Sequence, residues 1–276
     1  MAIAPYATPV ERAWYYTHRA ICALVLLFLI APILVIMPLS FNPVPYFTYP
    51  LPDLSLRWYE DFFTSDRWQI ALKNSIIVGS STTVLATILG TVAALGLSRA
   101  NFPLRPLVMG ILISPIVVPI VITAVGMYFF YAMVGLTNSY TGLIFAHTAL
   151  ATPFVVITVT ATLTGFDHNL TRAGASLGAS PVRVFFKVML PLILPGVISG
   201  ALFAFVTSWD EVVVVLFVAS ADQRTLPRQM FSGIREQISP TIMAAATLLI
   251  IFSIILLTTV ELLRRRSERL RGIRSG

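Results

Sequence analysis

From residue 106 to residue 166 the chain runs through 61 positions without one aspartate, glutamate, lysine or arginine. A soluble domain cannot be built on such a stretch, because soluble proteins carry charge at roughly a quarter of their positions. A bilayer can hold it. The hydrocarbon core is about 30 Å thick and a helix rises about 1.5 Å per residue, so one crossing takes about 20 residues. The stretch is therefore long enough for two crossings and a connection. Gly135-Leu136-Thr137-Asn138-Ser139-Tyr140 supplies the turn-forming residues between them.

Apolar runs of sufficient length fall at roughly 20–41, 72–97, 107–132, 141–165, 192–218 and 240–263. They predict an all-α polytopic membrane protein of six transmembrane helices, organised as one domain over 1–276 with a loop at 166–190 between the fourth and fifth helices. The overall composition, 57% apolar and 11% charged, agrees with this class. The first run, Ile21 to Phe41, follows Arg12 and Arg19 as a signal peptide would. It is too long for one, and no small-residue cleavage site follows, so it reads as a retained first helix.

Lysine and arginine set the orientation. With the N-terminus inside, the inner segments carry Arg12, Arg19, Arg99, Arg105, Arg172, Arg183, Lys187, Arg264, Arg265, Arg266, Arg269, Arg271 and Arg274. The outer segments carry Arg57, Arg67, Arg224, Arg228 and Arg235, with Lys73 at a boundary, and are offset by Asp53, Glu60, Asp61, Asp66, Asp222 and Glu236. Both termini are thus expected in the cytoplasm. The same distribution explains the net charge of +7 without a nucleic-acid partner, since the cations sit at the ends of apolar runs. No internal repeat, and no inverted pair of interrupted spans of the kind found in many secondary transporters, is evident.

Several chemistries are excluded. A nucleotide-binding P-loop needs a lysine after glycine, and the two lysines here, Lys73 and Lys187, follow Leu72 and Phe186. Any ATP-driven work must come from another chain. The single Cys22 allows no intrachain disulfide and reads as structural. His18, His147 and His168 are scattered, with no metal-ligand set and no nucleophile elbow. His147, inside the fourth span, reads as an interhelical hydrogen-bonding residue, and the sequon at Asn169-Leu170-Thr171 falls on the cytoplasmic side.

The loop at 166–190 predicts two short helices. The first starts near Asp167, whose carboxylate suits a helix N-terminus, and ends at Gly178. Ser180 then caps a second helix with Pro181 at its first position. Val184, Phe185, Val188 and Met189 give this helix an apolar face, and Pro191 and Pro195 mark entry into the fifth span. On these features alone the loop is an interfacial amphipathic connector.

The full pattern resembles the EAA loop of ABC importer permeases, E-A-A-x-x-L-G followed after a spacer by a hydrophobic-Leu-Pro ending. Here it reads Arg172-Ala173-Gly174-Ala175-Ser176-Leu177-Gly178 with Ala179 after it, and Met189-Leu190-Pro191 supplies the ending. Arg172 stands where the family has glutamate, and Gly174 where it has alanine. Further stretches, Ser55-Leu-Arg-Trp-Tyr59, Asn74-Ser75, Leu89-Gly90-Thr91, Gly165-Phe166-Asp167, Asp210-Glu211-Val212-Val213-Val214, Leu226-Pro227 and Ser239-Pro240, are similar to the second permease subunit of spermidine/putrescine-type importers. The resemblance covers nearly the whole chain. It implies the type I importer (MetI-like) fold in a bacterial inner membrane, with 172–179 as a coupling helix docking on an ATPase. It also implies a different permease chain, two ATPase subunits that bind the ATP and magnesium, and a periplasmic binding protein as partners. No cofactor is expected on this chain, which acts as a transport subunit and not an enzyme.

A charged residue inside a span costs about 2.5–3.5 kcal/mol on insertion scales and so faces a cavity or a partner. Asp210 and Glu211 are such acids, while Glu261 lies near a helix end. With Ser208 and Trp209 before them, they suit an ammonium group held by charge and by an aromatic face. Neighbouring residues point about 100° apart on a helix. Asp210 is therefore expected on the path and Glu211 against a neighbouring helix, the alternative being that both are glue between subunits. Many members of the family carry an acid after a proline in the third span, where this chain has Pro119-Ile120-Val121. The expected solute is a polyamine, or else a monocationic or amino-acid-derived compound. A secondary transporter and a membrane-embedded enzyme are the competing classes.

Overall fold

The computed structural model describes residues 6, 8–46, 48–98, 102–236 and 239–270. Arg99, Arg271 and Arg274, three of the cations used above for orientation, lie outside the described residues. The chain divides into two compact units, Met1–Phe63 with Gln237–Ile251, and Thr64–Glu236 with Phe252–Gly276.

In the first unit, α1 (Pro9–Leu39) opens on a capping box. The Thr8 hydroxyl accepts the Glu11 amide at 3.3 Å and the Glu11 carboxylate accepts the Thr8 amide at 2.8 Å. Beyond its far end, the Trp58 indole of α2 (Arg57–Thr64) donates to the Asn42 carbonyl, and Tyr59 OH meets Ser40 Oγ at 2.7 Å. Thr241, which starts α12 (Thr241–Leu270), donates its hydroxyl to Asp61 at 2.6 Å. These bonds occupy polar groups where the chain leaves the apolar zone.

The core of the second unit is a packed trio, α3 (Asp66–Leu97), α6 (Tyr140–Thr164) and α9 (Leu190–Trp209). Ala86, Ala94, Ala151, Val155, Val159, Leu163, Ile193 and Ala204 form its buried centre. Small residues let the backbones approach. A Cβ on Gly90 would stand 2.6 Å from the Val155 Cβ, and one on Gly200 would stand 2.6 Å from the Thr158 hydroxyl.

Two of the expected spans are interrupted, which the sequence reading did not foresee. The third is a bent pair, α4 (Arg105–Val117) and α5 (Ile120–Val134), with 105° between the two helices. Pro119 accounts for the break, because a proline pushes the residue before it out of the helical region, and Val118 is extended at φ −71°, ψ 133°. The fifth expected run breaks at Asp210, after α9, and resumes as α10 (Val213–Val218). Its start also differs. The chain is helical from α8 (Pro181–Val184) through a π-helical turn at Phe185–Met189 into α9, so the second loop helix is the opening of the fifth span. Pro191, which has no N–H to give to residue 187, explains the wide turn.

Among the described residues five helices are long and apolar enough to cross a bilayer, and there are six if the bent pair counts as one span. The hairpin between α5 and α6 uses the expected residues. Gly135 closes α5 at φ 72°, Asn138 sits at φ 55°, and the Ser139 hydroxyl caps α6.

Candidate translocation groove and coupling loop

The two chain breaks meet at one cavity. Pro115, Ile116, Val117, Val118, Pro119 and Ile120 line one side of it. Leu150 and Phe154 of α6, Thr207 of α9 and Glu211 line the rest of this open groove, whose volume is about 350 Å³. Apart from Glu211 and Thr207, every side chain in this wall is apolar. A carboxylate at the edge of such a cavity offers a strong acceptor to a cationic group.

Local structure decides which acid reaches the cavity. Asp210 is the first residue after α9, in a non-helical conformation, and it is exposed. Glu211 turns back along α10, where its Oε1 accepts the Val214 amide at 2.8 Å and so caps that short helix. The backbone amides at the start of α10 thus hold the carboxylate in place at the edge of the groove. Of the two acids expected at the end of the fifth span, Asp210 stands exposed after α9 and Glu211 borders the groove. The helical rule of 100° per residue did not apply, because the helix ends at Trp209.

Ser208 and Trp209 are buried. The Ser208 hydroxyl lies 2.7 Å from Nδ1 of His147, the interhelical hydrogen bond expected of that histidine. Trp209 stacks on Phe205 with centroids 5.2 Å apart and meets Phe252 of α12 at 4.9 Å. Its ring faces are occupied by aromatic neighbours. These two residues therefore hold the end of α9 in place below the acids. Among the described residues no cluster of histidine, cysteine or acidic side chains could hold a metal ion.

The 166–190 loop keeps the expected order with shorter helices. The Asp167 carboxylate accepts the Asn169 amide at 2.9 Å at the start of α7 (Asn169–Ser176), and Gly178 follows at φ 81°. The Ser180 hydroxyl then accepts the Arg183 amide at 3.4 Å, with Pro181 at the first helical position. Arg172, Ala173, Ala175, Ser176, Leu177 and Gly178 are exposed, and Leu177 is 89% exposed. Gly174 and Ala179 are partly covered. A Cβ on Gly174 would stand 3.2 Å from Val184 and 3.9 Å from Val188, so this position packs the loop on itself.

The sequence reading missed the contribution of the third span to the cavity. Pro115 and Pro119, two prolines bracketing three β-branched residues, were the signal that could have found it.

Residues 86–271 match the family described as "Binding-protein-dependent transport system inner membrane component". The chain is 32% identical over 234 residues to the spermidine/putrescine transport system permease protein PotC of Haemophilus influenzae, covering 85% of this chain and 91% of that protein. It is 32% identical over 228 residues to the putrescine transport system permease protein PotI of Escherichia coli K12, covering 80% and 81%. Among solved structures, one chain of a bacterial ABC transporter that imports the acidic polysaccharide alginate superposes with a TM-score of 0.72 at 16% identity, covering 95% of this chain and 99% of that one.

Proposed function

Since the chain belongs to the family of inner membrane components of binding-protein-dependent transport systems, we propose that it forms half of the solute path of an ATP-driven importer for a small organic cation of the polyamine class. In this reading the whole chain acts as one multi-pass permease domain in the bacterial inner membrane, with both termini in the cytoplasm. A different permease chain supplies the other half of the path. A periplasmic binding protein delivers the solute, and two ATPase subunits bind ATP and magnesium and do the hydrolysis.

The observation that supports the solute class is the Glu211 carboxylate at the edge of a groove between two chain breaks whose wall, Thr207 apart, is otherwise apolar. An apolar wall of this kind accommodates methylene groups, while the carboxylate holds an ammonium. For the ATPase contact, the exposed 172–179 segment supports the reading. Leu177, an exposed apolar side chain on an otherwise small and polar turn, is suited to a partner's groove. Reconstitution of the full complex in proteoliposomes, with uptake of labelled spermidine measured with and without ATP, tests the proposal. ATP-independent uptake by the isolated chain would overturn it.

A second reading is favoured by one specific feature. The cavity has a single carboxylate, and Pro119-Ile120-Val121 brings no second acid. A solute with one ammonium, such as an amino-acid derivative, fits this wall as well as a dication does. Competition of such compounds with spermidine for the purified binding protein separates the two.

A further inference from the structure

The acid that borders the cavity lies two residues before helix α10 and caps it, and α10 is only six residues long. Isolated helices of that length do not persist, because nucleation costs more than a few hydrogen bonds return. Its ends must be held. At the N-terminal end the holder is Glu211 itself, through the Val214 amide. At the C-terminal end the Val218 carbonyl accepts the Asn138 amide of the α5–α6 hairpin at 2.9 Å. The next two carbonyls, Ala219 and Ser220, both accept from Nη1 of Arg228, at 2.9 and 2.6 Å.

Arg228 lies on α11 (Leu226–Glu236), and the start of that helix is itself tied down. The Ser75 hydroxyl accepts the Leu226 amide at 2.8 Å, and the Asn74 amide group donates to the Asp222 and Arg224 carbonyls at 2.8 and 3.0 Å. Tyr140 OH donates to the Asn74 side-chain oxygen at 2.8 Å. The guanidinium therefore reaches α10 from a segment anchored to α3 and α6. Cations at a helix C-terminus are favourable, since the last carbonyls carry partial negative charge. Along its side α10 packs Val214 and Val218 against Ala124 and Tyr131 of α5.

We infer that Arg228 is a positioning residue for the solute cavity: by pinning the Ala219 and Ser220 carbonyls, where the chain leaves α10, it fixes the exit and register of that helix and hence the place of the Glu211 carboxylate. The inference rests on the reading of Glu211 as the solute-facing acid. Arg228 lies outside the cavity wall and acts only through α10. One terminal nitrogen serves both carbonyls, so a lysine ammonium can reproduce the contact while a side chain without donors cannot.

A double-mutant cycle in the reconstituted complex tests it, with labelled spermidine as probe and complex assembly checked for each variant. Glu211→Gln lowers uptake about tenfold by removing the charge from a hydrogen bond. Arg228→Met lowers it about fivefold with assembly retained, and Arg228→Lys stays within about twofold of the parent complex. The double variant Glu211→Gln/Arg228→Met is no worse than Glu211→Gln alone, because both changes act at one carboxylate. If Arg228→Met does not assemble, Arg228→Gln, which withdraws the polar tip from the two carbonyls, takes its place in the cycle. Losses that multiply in the double variant, or full uptake by the methionine and glutamine variants, overturn the inference and leave the reading of Glu211 standing. Full uptake by Glu211→Gln overturns both.

Discussion

Nδ1 of His147 and the hydroxyl of Ser208 stand 2.7 Å apart in the buried contact between α6 and α9, one residue before the end of α9 and three before Glu211. A polar group stranded in that contact has no solvent to turn to, so the pair is worth most as a pair. Ser208→Ala strands the imidazole and lowers stability by about 1–3 kcal/mol. The double variant His147→Leu/Ser208→Ala removes both partners and recovers part of that loss. Thermal unfolding of the detergent-purified complex reads both effects.

The α3–α6 contact gives a second prediction. Gly90→Ala puts a Cβ 2.6 Å from that of Val155, in a place where backbone on one side and a β-branched residue on the other cannot both yield. Such overpacking costs about 1–3 kcal/mol. Gly110→Ala in α4 meets nothing within 4 Å and leaves the melting temperature unchanged or slightly raised. Equal effects of the two alanines would show that close helix approach is not what Gly90 provides.

In the loop proposed to contact the ATPase, Leu177 is exposed while Gly174 packs within the chain. Leu177→Glu puts a charge on the exposed turn, and it lowers solute-stimulated ATPase activity about tenfold while the complex still assembles, the size of an anchor worth about 1.4 kcal/mol. Gly174→Leu acts on the chain itself by displacing Val184, and it lowers thermal stability as well as ATPase stimulation. ATPase assays on the two variants, alongside their melting curves, check this division.

How much of this could be read from residues alone depends on what kind of signal each element gives. Crossings, hairpin and loop caps were legible because they rest on local chemistry: charge-free length, Gly135 and Asn138 at positive φ, and Asp167 and Ser180 at helix starts. The breaks were not, because apolar length counts residues and does not see direction. A run of 107–132 reads the same whether Val118 is helical or extended. The site suffered from that blindness. Asp210 and Glu211 were assigned faces of a continuous helix, but the helix stops before them, and Glu211 reaches the cavity through a cap formed with a residue three positions later. The holders of α10, Asn138 and Arg228, are 80 and 10 residues from Val218, and no local pattern announces them.

Glu211 is the acid proposed to meet the cation, and its charge is the feature to remove. Glu211→Gln keeps the size and the acceptor for the Val214 amide while removing the charge. A charge-assisted hydrogen bond contributes about 1.5–3 kcal/mol against about 1 for a neutral one, so spermidine uptake by the reconstituted complex falls about tenfold. Assembly and basal ATP hydrolysis hold, and Asp210→Asn in the same assay costs less than Glu211→Gln. Uptake that is unchanged by Glu211→Gln, or that falls with Asp210→Asn instead, would contradict a cation-binding role for Glu211.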